Sequence, residues 1–232
     1  IEAMNYDYGW QMAKHGYMTI SPDLRVFGER ASIGDMVRTD RDKCNVHFIR
    51  GAIMGIYTLT LNIFDFQRCI DYLETRPEVD PSRIGMMGLS QGGTMTTFTT
   101  AFEPRIKAAV VAGWYNHRRN KMVLPDSRYS CFLETKEDHA FFDGWLTSFT
   151  DSDVAALICP RPLLIQTGKQ DRIAWWPMVV EEFEAAKQHY EKLGIADRIE
   201  MDLQDCGHEA HVDSGLRFLT KWLKEQPVTD AN

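Results

Sequence analysis

Three residues of this 232-residue chain, far apart in sequence, have the types and settings that nucleophilic chemistry needs. Ser90 stands in Gly88-Leu89-Ser90-Gln91-Gly92-Gly93, between an apolar run and a Thr-rich, small-residue run. Such a strand, turning sharply through Gly-x-Ser-x-Gly into a helix, leaves the serine at the positive helix end, placed to attack a carbonyl carbon. The tightness of the turn predicts that Gly88 and Gly92 are required there. A serine hydroxyl is a weak nucleophile near neutral pH; it needs a base within hydrogen-bond reach and a third group to orient that base. In open parallel sheets these groups lie beyond the carboxyl ends of strands. Asp171 follows the apolar run Leu163–Gln166 across a Thr-Gly-Lys-Gln turn, and His208 follows the run ending at Leu203 across Gln-Asp-Cys-Gly. Gly207 is expected to let the loop bring His208 close to the serine, whereas His211 is expected to start the last helix. Asp205 and Glu209, which flank His208, are the alternative acids. The His-Glu-x-His run at 208–211 lacks the i,i+4 spacing of a helical zinc site, so neither metal nor cofactor is expected.

These residues need a parallel sheet to position them, and the periodicity supplies one. Helical spacing runs from about Tyr6 to His15 with Gly16 as its stop, and Tyr17–Ile20 reads as a short buried strand. Residues 24–50 are polar and without clear period. One long helix is expected from about Ala52 to Arg76, closed by Pro77 and Pro81. The Ser90 strand and helix follow, then an apolar run Ile106–Ala112. An irregular, aromatic insertion occupies about residues 114–150. A short helix at Asp151–Leu157, the strand at Leu163, a helix Pro177–Leu193, a strand Arg198–Leu203 and a helix His211–Leu223 complete the chain. Strands alternating with helices predict one α/β domain, residues 1–232, with a mostly parallel sheet covered on both faces.

The bulk properties exclude several classes. A net charge of −7 argues against a nucleic-acid or anionic-membrane surface. No apolar run reaches the roughly 18 residues of a membrane span. Five cysteines, odd in number and without C-x-x-C spacing, read as reduced thiols rather than disulfides or metal ligands. The default expectation is a cytoplasmic protein whose partner is a small-molecule ester, with no nucleic acid and no membrane.

The chain resembles α/β-hydrolase serine esterases of the dienelactone hydrolase and acetyl xylan esterase branch. The matching stretches are Gly16-Tyr17 with Ser21-Pro22-Asp23-Leu24-Arg25, then Gly88-Leu89-Ser90-Gln91-Gly92-Gly93, then Gly207-His208-Glu209. The order Ser, Asp, His is that of an α/β-hydrolase triad. Two departures stand out: Arg25-Val26-Phe27-Gly28 occupies the place of the acetyl xylan esterases' Arg-Gly-Gln, and Ser90 replaces the cysteine of dienelactone hydrolases proper. The resemblance implies Ser90 as nucleophile, His208 as base, Asp171 as its orienting acid, and the Gln91 backbone N–H as one oxyanion-hole donor. It also implies about three strands ahead of the first helix, with the second donor among them. These are expected N-terminal to Ile1, and without them an exposed sheet edge favours association, including homo-oligomer formation.

The insertion's Trp114, Tyr115, Phe132, Phe141, Phe142 and Trp145 either wall an acyl or alcohol pocket or pack the insertion onto the sheet. At least one of Trp175 and Trp176 is expected near the site mouth. The basic run His117–Lys121 reads as a solvated loop, or as an attractor for an acidic substrate. Two other functions stay open: a serine peptidase catalytic domain of the prolyl-oligopeptidase type, and a pseudo-hydrolase interaction module.

Overall fold

The computed structural model describes residues 6–31, 43–124, 126, 128 and 141–226. Its frame is a four-stranded, wholly parallel sheet in the order β1-β2-β3-β4. The strands are β1 (Ile84–Leu89), β2 (Ile106–Ala112), β3 (Leu163–Gly168) and β4 (Ile199–Gln204). The helices are α1 (Tyr8–Lys14), α2 (Lys43–Met54), α3 (Thr58–Glu74), α4 (Gln91–Phe102), α5 (Arg118–Val123), α6 (Trp145–Ser148), α7 (Asp151–Ile158), α8 (Trp176–Glu191) and α9 (Val212–Thr220). This is the parallel, helix-covered α/β arrangement expected, and Ser90, Asp171 and His208 follow the carboxyl ends of β1, β3 and β4.

Alternation along the central strands distributes the core. Ala109, Val111, Leu163 and Ile165 join one apolar cluster with residues of α3, α4, α7 and α8, while Ala108, Val110 and Leu164 join another with residues of α1 and α9. Both faces are therefore apolar and covered, as an all-parallel sheet requires. Helix α4 is buried from Gly93 to Thr100. Two of its threonines, Thr96 and Thr97, fit an apolar setting because they donate back to the carbonyls of Gly92 and Gly93. Helix α7 begins with a capping box at Thr150 and Asp153, a device that contributes about 1 kcal/mol.

Two expectations about the chain before β1 are corrected. The single long helix is in fact α2 and α3, bent 95° at a break. Gly55 takes φ 67°, and a side chain on Gly51 would come within 2.1 Å of the Ile56 carbonyl, so the chain turns where apolar periodicity alone would continue a helix. Tyr17–Ile20 is neither strand nor buried: Met18 and Ile20 are 48% and 41% exposed. A groove of about 290 Å³ lies between Tyr17–Ser21 and the Ile84–Met87 edge of β1, so this segment has no ladder to join. No single helix among the described residues is long and apolar enough to cross a membrane.

Candidate active site

The backbone turns sharply at Ser90, which takes φ 57° and ψ −117°. Holding a non-glycine residue there costs on the order of 1–3 kcal/mol, and it persists because its surroundings fix it. The Ser90 N–H donates to the Ala112 carbonyl at 2.8 Å, and the Ser90 carbonyl accepts from Thr94 at 3.0 Å. A Cβ on Gly88 would lie 2.1 Å from the Gly92 carbonyl oxygen, so this glycine is required as expected. Gly92 itself has room, with only the Tyr8 hydroxyl at 3.4 Å. The second closed position is Gly93, whose Cβ would meet Trp114 at 2.6 Å. The sequence expectation for Gly92 thus belongs to Gly93, because the helix packs on the chain after β2. The Gln91 N–H lies at the start of α4, where backbone donors are free of intrahelical partners.

The acid and the imidazole meet beyond β3 and β4. Asp171 is buried, and its Oδ2 accepts from His208 Nδ1 at 2.7 Å while its Oδ1 accepts from the Ile173 N–H at 2.9 Å. A carboxylate on Nδ1 fixes that nitrogen as the protonated one and leaves Nε2 as the basic face. The two loops are held together past the strand ends, with Lys169 N–H donating to the Gln204 carbonyl and Gln170 N–H to the Cys206 carbonyl. Gly168 permits this approach: a side chain there would come within 2.3 Å of the carbonyls of Cys206 and Gly207. Gly207, by contrast, has open space around it, so the glycine that lets the histidine loop approach is Gly168 at the end of β3. Asp205 is an exposed ion-pair partner of Lys169 at 3.0 Å, not a ligand of the imidazole.

Gly113 joins the two halves. It takes φ 57°, and a Cβ there would fall 2.9 Å from His208 Cε1 and 2.9 Å from Leu89 Cδ1. The imidazole therefore rests over the backbone just past β2, beside the same glycine that Leu89, the residue before Ser90, approaches. Ser90 and His208 share this end of the sheet, though among the described residues no hydrogen bond joins them. The groove beside β1 runs along the strand's other half and is a separate feature.

The described residues of the insertion pack onto the domain. Trp114 and Tyr115 are 4% and 2% exposed, and Trp114, Phe142 and Phe98 ring Trp145 at centroid distances of 6.0, 5.0 and 5.7 Å. Such aromatic contacts contribute about 0.5–1.5 kcal/mol each beyond burial. Phe132 lies outside the described residues. Trp175 and Trp176 are half-buried at the start of α8, just after the Asp171 loop, with the Arg128 guanidinium 4.1 Å from the Trp175 ring. The basic run is corrected: it forms α5, and Arg118 and Lys121 are only 2% and 3% exposed. Arg118 pairs with Asp151 at 2.6 Å and lies over Trp114, while Lys121 Nζ donates to the Ile173 carbonyl at 2.5 Å. These charges hold the insertion onto α7 and onto the acid loop. Their partners are 33 and 52 residues away, beyond any local pattern.

His211 does begin the last helix, as expected, but it brings a second carboxylate and a thiol. Its Nδ1 donates to Asp202 at 3.0 Å and its Nε2 lies 2.8 Å from Cys206 Sγ. Sequence reasoning missed this cluster. The available signal was the sharing of one loop by Cys206, His208 and His211.

The comparisons agree with this architecture. "Putative hydrolase YtaP" of Bacillus subtilis is 26% identical over 219 residues, spanning 92% of this chain and 67% of the relative. A "putative acetyl xylan esterase" structure from Bacteroides fragilis superposes with TM-score 0.66 at 17% identity, over 84% of this chain and 49% of its own. A glucuronoyl esterase structure from Caldicellulosiruptor kristjansonii gives 0.59 at 22% identity, over 72% and 50%. The chain thus spans about half the length of the solved structures it matches. The acetyl xylan esterase (AXE1) family model matches residues 5–131, more than half of the 232, despite the altered stretch at Arg25–Gly28. The chain belongs to the acetyl xylan esterase (AXE1) family.

Proposed function

We propose that this chain carries the catalytic core of a serine carboxylesterase acting on acetyl or other short acyl esters. Ser90 Oγ attacks the ester carbonyl carbon as its proton passes to His208 Nε2. The Gln91 N–H donates to the tetrahedral oxyanion that forms. The C–O bond to the alcohol then breaks, and His208 returns the proton to the departing oxygen. Water, deprotonated by the same imidazole, attacks the acyl-serine; the acid leaves and Ser90 recovers its proton. Asp171 keeps His208 in the Nδ1-protonated tautomer and stabilises its charged form throughout. The Ser90–His208 contact is expected to close when substrate occupies the turn, since catalytic hydrogen bonds often tighten only in the complex.

The observation that carries this reading is the buried Asp171 holding His208 over Gly113, next to a strained serine. Family membership and the names of the structural neighbours support a carbohydrate-ester substrate class. Replacing Ser90 with Ala is expected to abolish turnover of a short-chain nitrophenyl ester while leaving the circular dichroism spectrum unchanged. Full turnover by S90A would refute the assignment. Cleavage of a peptide amide in preference to the ester would move it to a peptidase of the prolyl-oligopeptidase type.

A further inference from the structure

The cluster of Cys206, His211 and Asp202 has the order of a nucleophile, a base and an orienting acid, with Cys206 and His211 on the loop that carries His208 and Asp202 in β4. Its detail argues for a different use. Asp202 accepts from His211 Nδ1, so Nε2 is the bare, accepting nitrogen, and the Cys206 thiol is its donor at 2.8 Å. Burial first, then Glu209 through its charge and a side-chain hydrogen bond, and then the charges of Asp202 and Asp171 push the thiol up to about 11. A thiol kept protonated is a poor nucleophile and a dependable donor.

The contact closes a ring of chain. Cys206 and His211 are the two ends of a six-residue segment with His208 inside it, so the thiol–imidazole bond staples that segment at its base. Both ends are anchored further. The Cys206 carbonyl accepts from Gln170 N–H at 2.9 Å, in the loop that carries Asp171. At the other end, the buried Gln166 side chain accepts from the His211 N–H at 3.2 Å and donates to the His211 carbonyl at 2.7 Å and to Ser214 Oγ at 2.8 Å. Ser214 Oγ donates in turn to Asp202, and Gln204 Nε2 donates to the same carboxylate. Gln166 is the residue whose backbone carbonyl receives the Gly113 N–H at 2.9 Å, beneath the His208 ring. The network thus ties both ends of the His208 segment to the strand end on which that ring rests.

We propose that Cys206 and His211 are positioning residues for His208, with their thiol–imidazole bond setting where Nε2 stands relative to Ser90. This rests on the esterase reading above. The effect is expected in the chemical step, because small misplacements of a base weaken proton transfer while leaving ester binding largely intact.

The test is a double-mutant cycle on the full chain with a short-chain nitrophenyl ester. Both C206A and H211A are expected to lower kcat by about tenfold, with KM within about twofold. The double variant is expected to be no worse than H211A alone, because H211A already removes the bond that C206A removes. C206S, which keeps a donor, is expected to recover most of the loss, and C159S serves as an unaffected thiol control. An unchanged kcat in C206A, losses that simply multiply, or no gain from Ser over Ala would each overturn the proposal. If H211A proves insoluble, C206A against C206S alone decides through the kcat comparison. S90A separates the two layers: if it stays fully active the esterase reading falls, whereas its loss beside an unaltered C206A leaves that reading standing and removes only this one.

Discussion

Two histidines of the segment after β4 each pair Nδ1 with a carboxylate, at 2.7 Å for His208–Asp171 and 3.0 Å for His211–Asp202. They differ at the other ring nitrogen and in exposure. The His208 side chain is 22% exposed over a buried acid, whereas that of His211 is 4% exposed and its Nε2 is engaged by a thiol. A carboxylate on an imidazole is therefore no mark of catalysis by itself. In the proposed mechanism the base differs from the structural link in its second nitrogen, which stands at the same strand ends as the strained Ser90.

The sharpest way to break this contrast is to delete each ring. H208A is expected to reduce kcat by about 10³-fold or more, as loss of a general base does, against about tenfold for H211A. Steady-state rates with one ester measure both; equal losses would erase the distinction. A subtler change should reach the first pair alone. Gly113→Ala places a methyl where the His208 ring lies, on backbone of positive φ. It is expected to lower kcat by about tenfold to a hundredfold, with a melting temperature reduced by a few degrees. Normal kcat in G113A would show that the ring does not work from this position.

The smallest effect separates the carboxylates by pH. Burial opposes ionisation of Asp202, yet hydrogen bonds from His211, Ser214 and Gln204 outweigh it and hold its carboxyl at about 2. Its folded value lies below the unfolded one of about 3.9, so its stabilisation is fully present above pH ~4 and is lost as pH falls towards 2. Wild-type protein is expected to lose stability more steeply than D202N across that window, as read by urea midpoints at successive pH values. Parallel curves would deny Asp202 this role.

Local sequence carried the features defined by a strand and the turn immediately after it. Ser90, Asp171 and His208 each stand just past an apolar run, so strand ends and chain order placed them. The errors arose where the deciding neighbour is distant. Whether Gly92 or Gly93 is closed depends on Trp114, and whether Gly207 or Gly168 admits the histidine loop depends on which chain is approached. Arg118 and Lys121 read as solvent residues until Asp151 and Ile173 come into contact with them. Tyr17–Ile20 has strand composition, but a strand requires a neighbour at hydrogen-bonding distance, and the segment faces a groove instead.

The most direct test of the central claim is covalent labelling of Ser90 by a fluorophosphonate, because only an activated serine reacts. Wild-type protein is expected to be labelled at Ser90 at a rate that H208A and D171N each reduce by more than about a hundredfold and H211A by about tenfold. Labelling of H208A at the wild-type rate, or of any residue other than Ser90, would contradict the account.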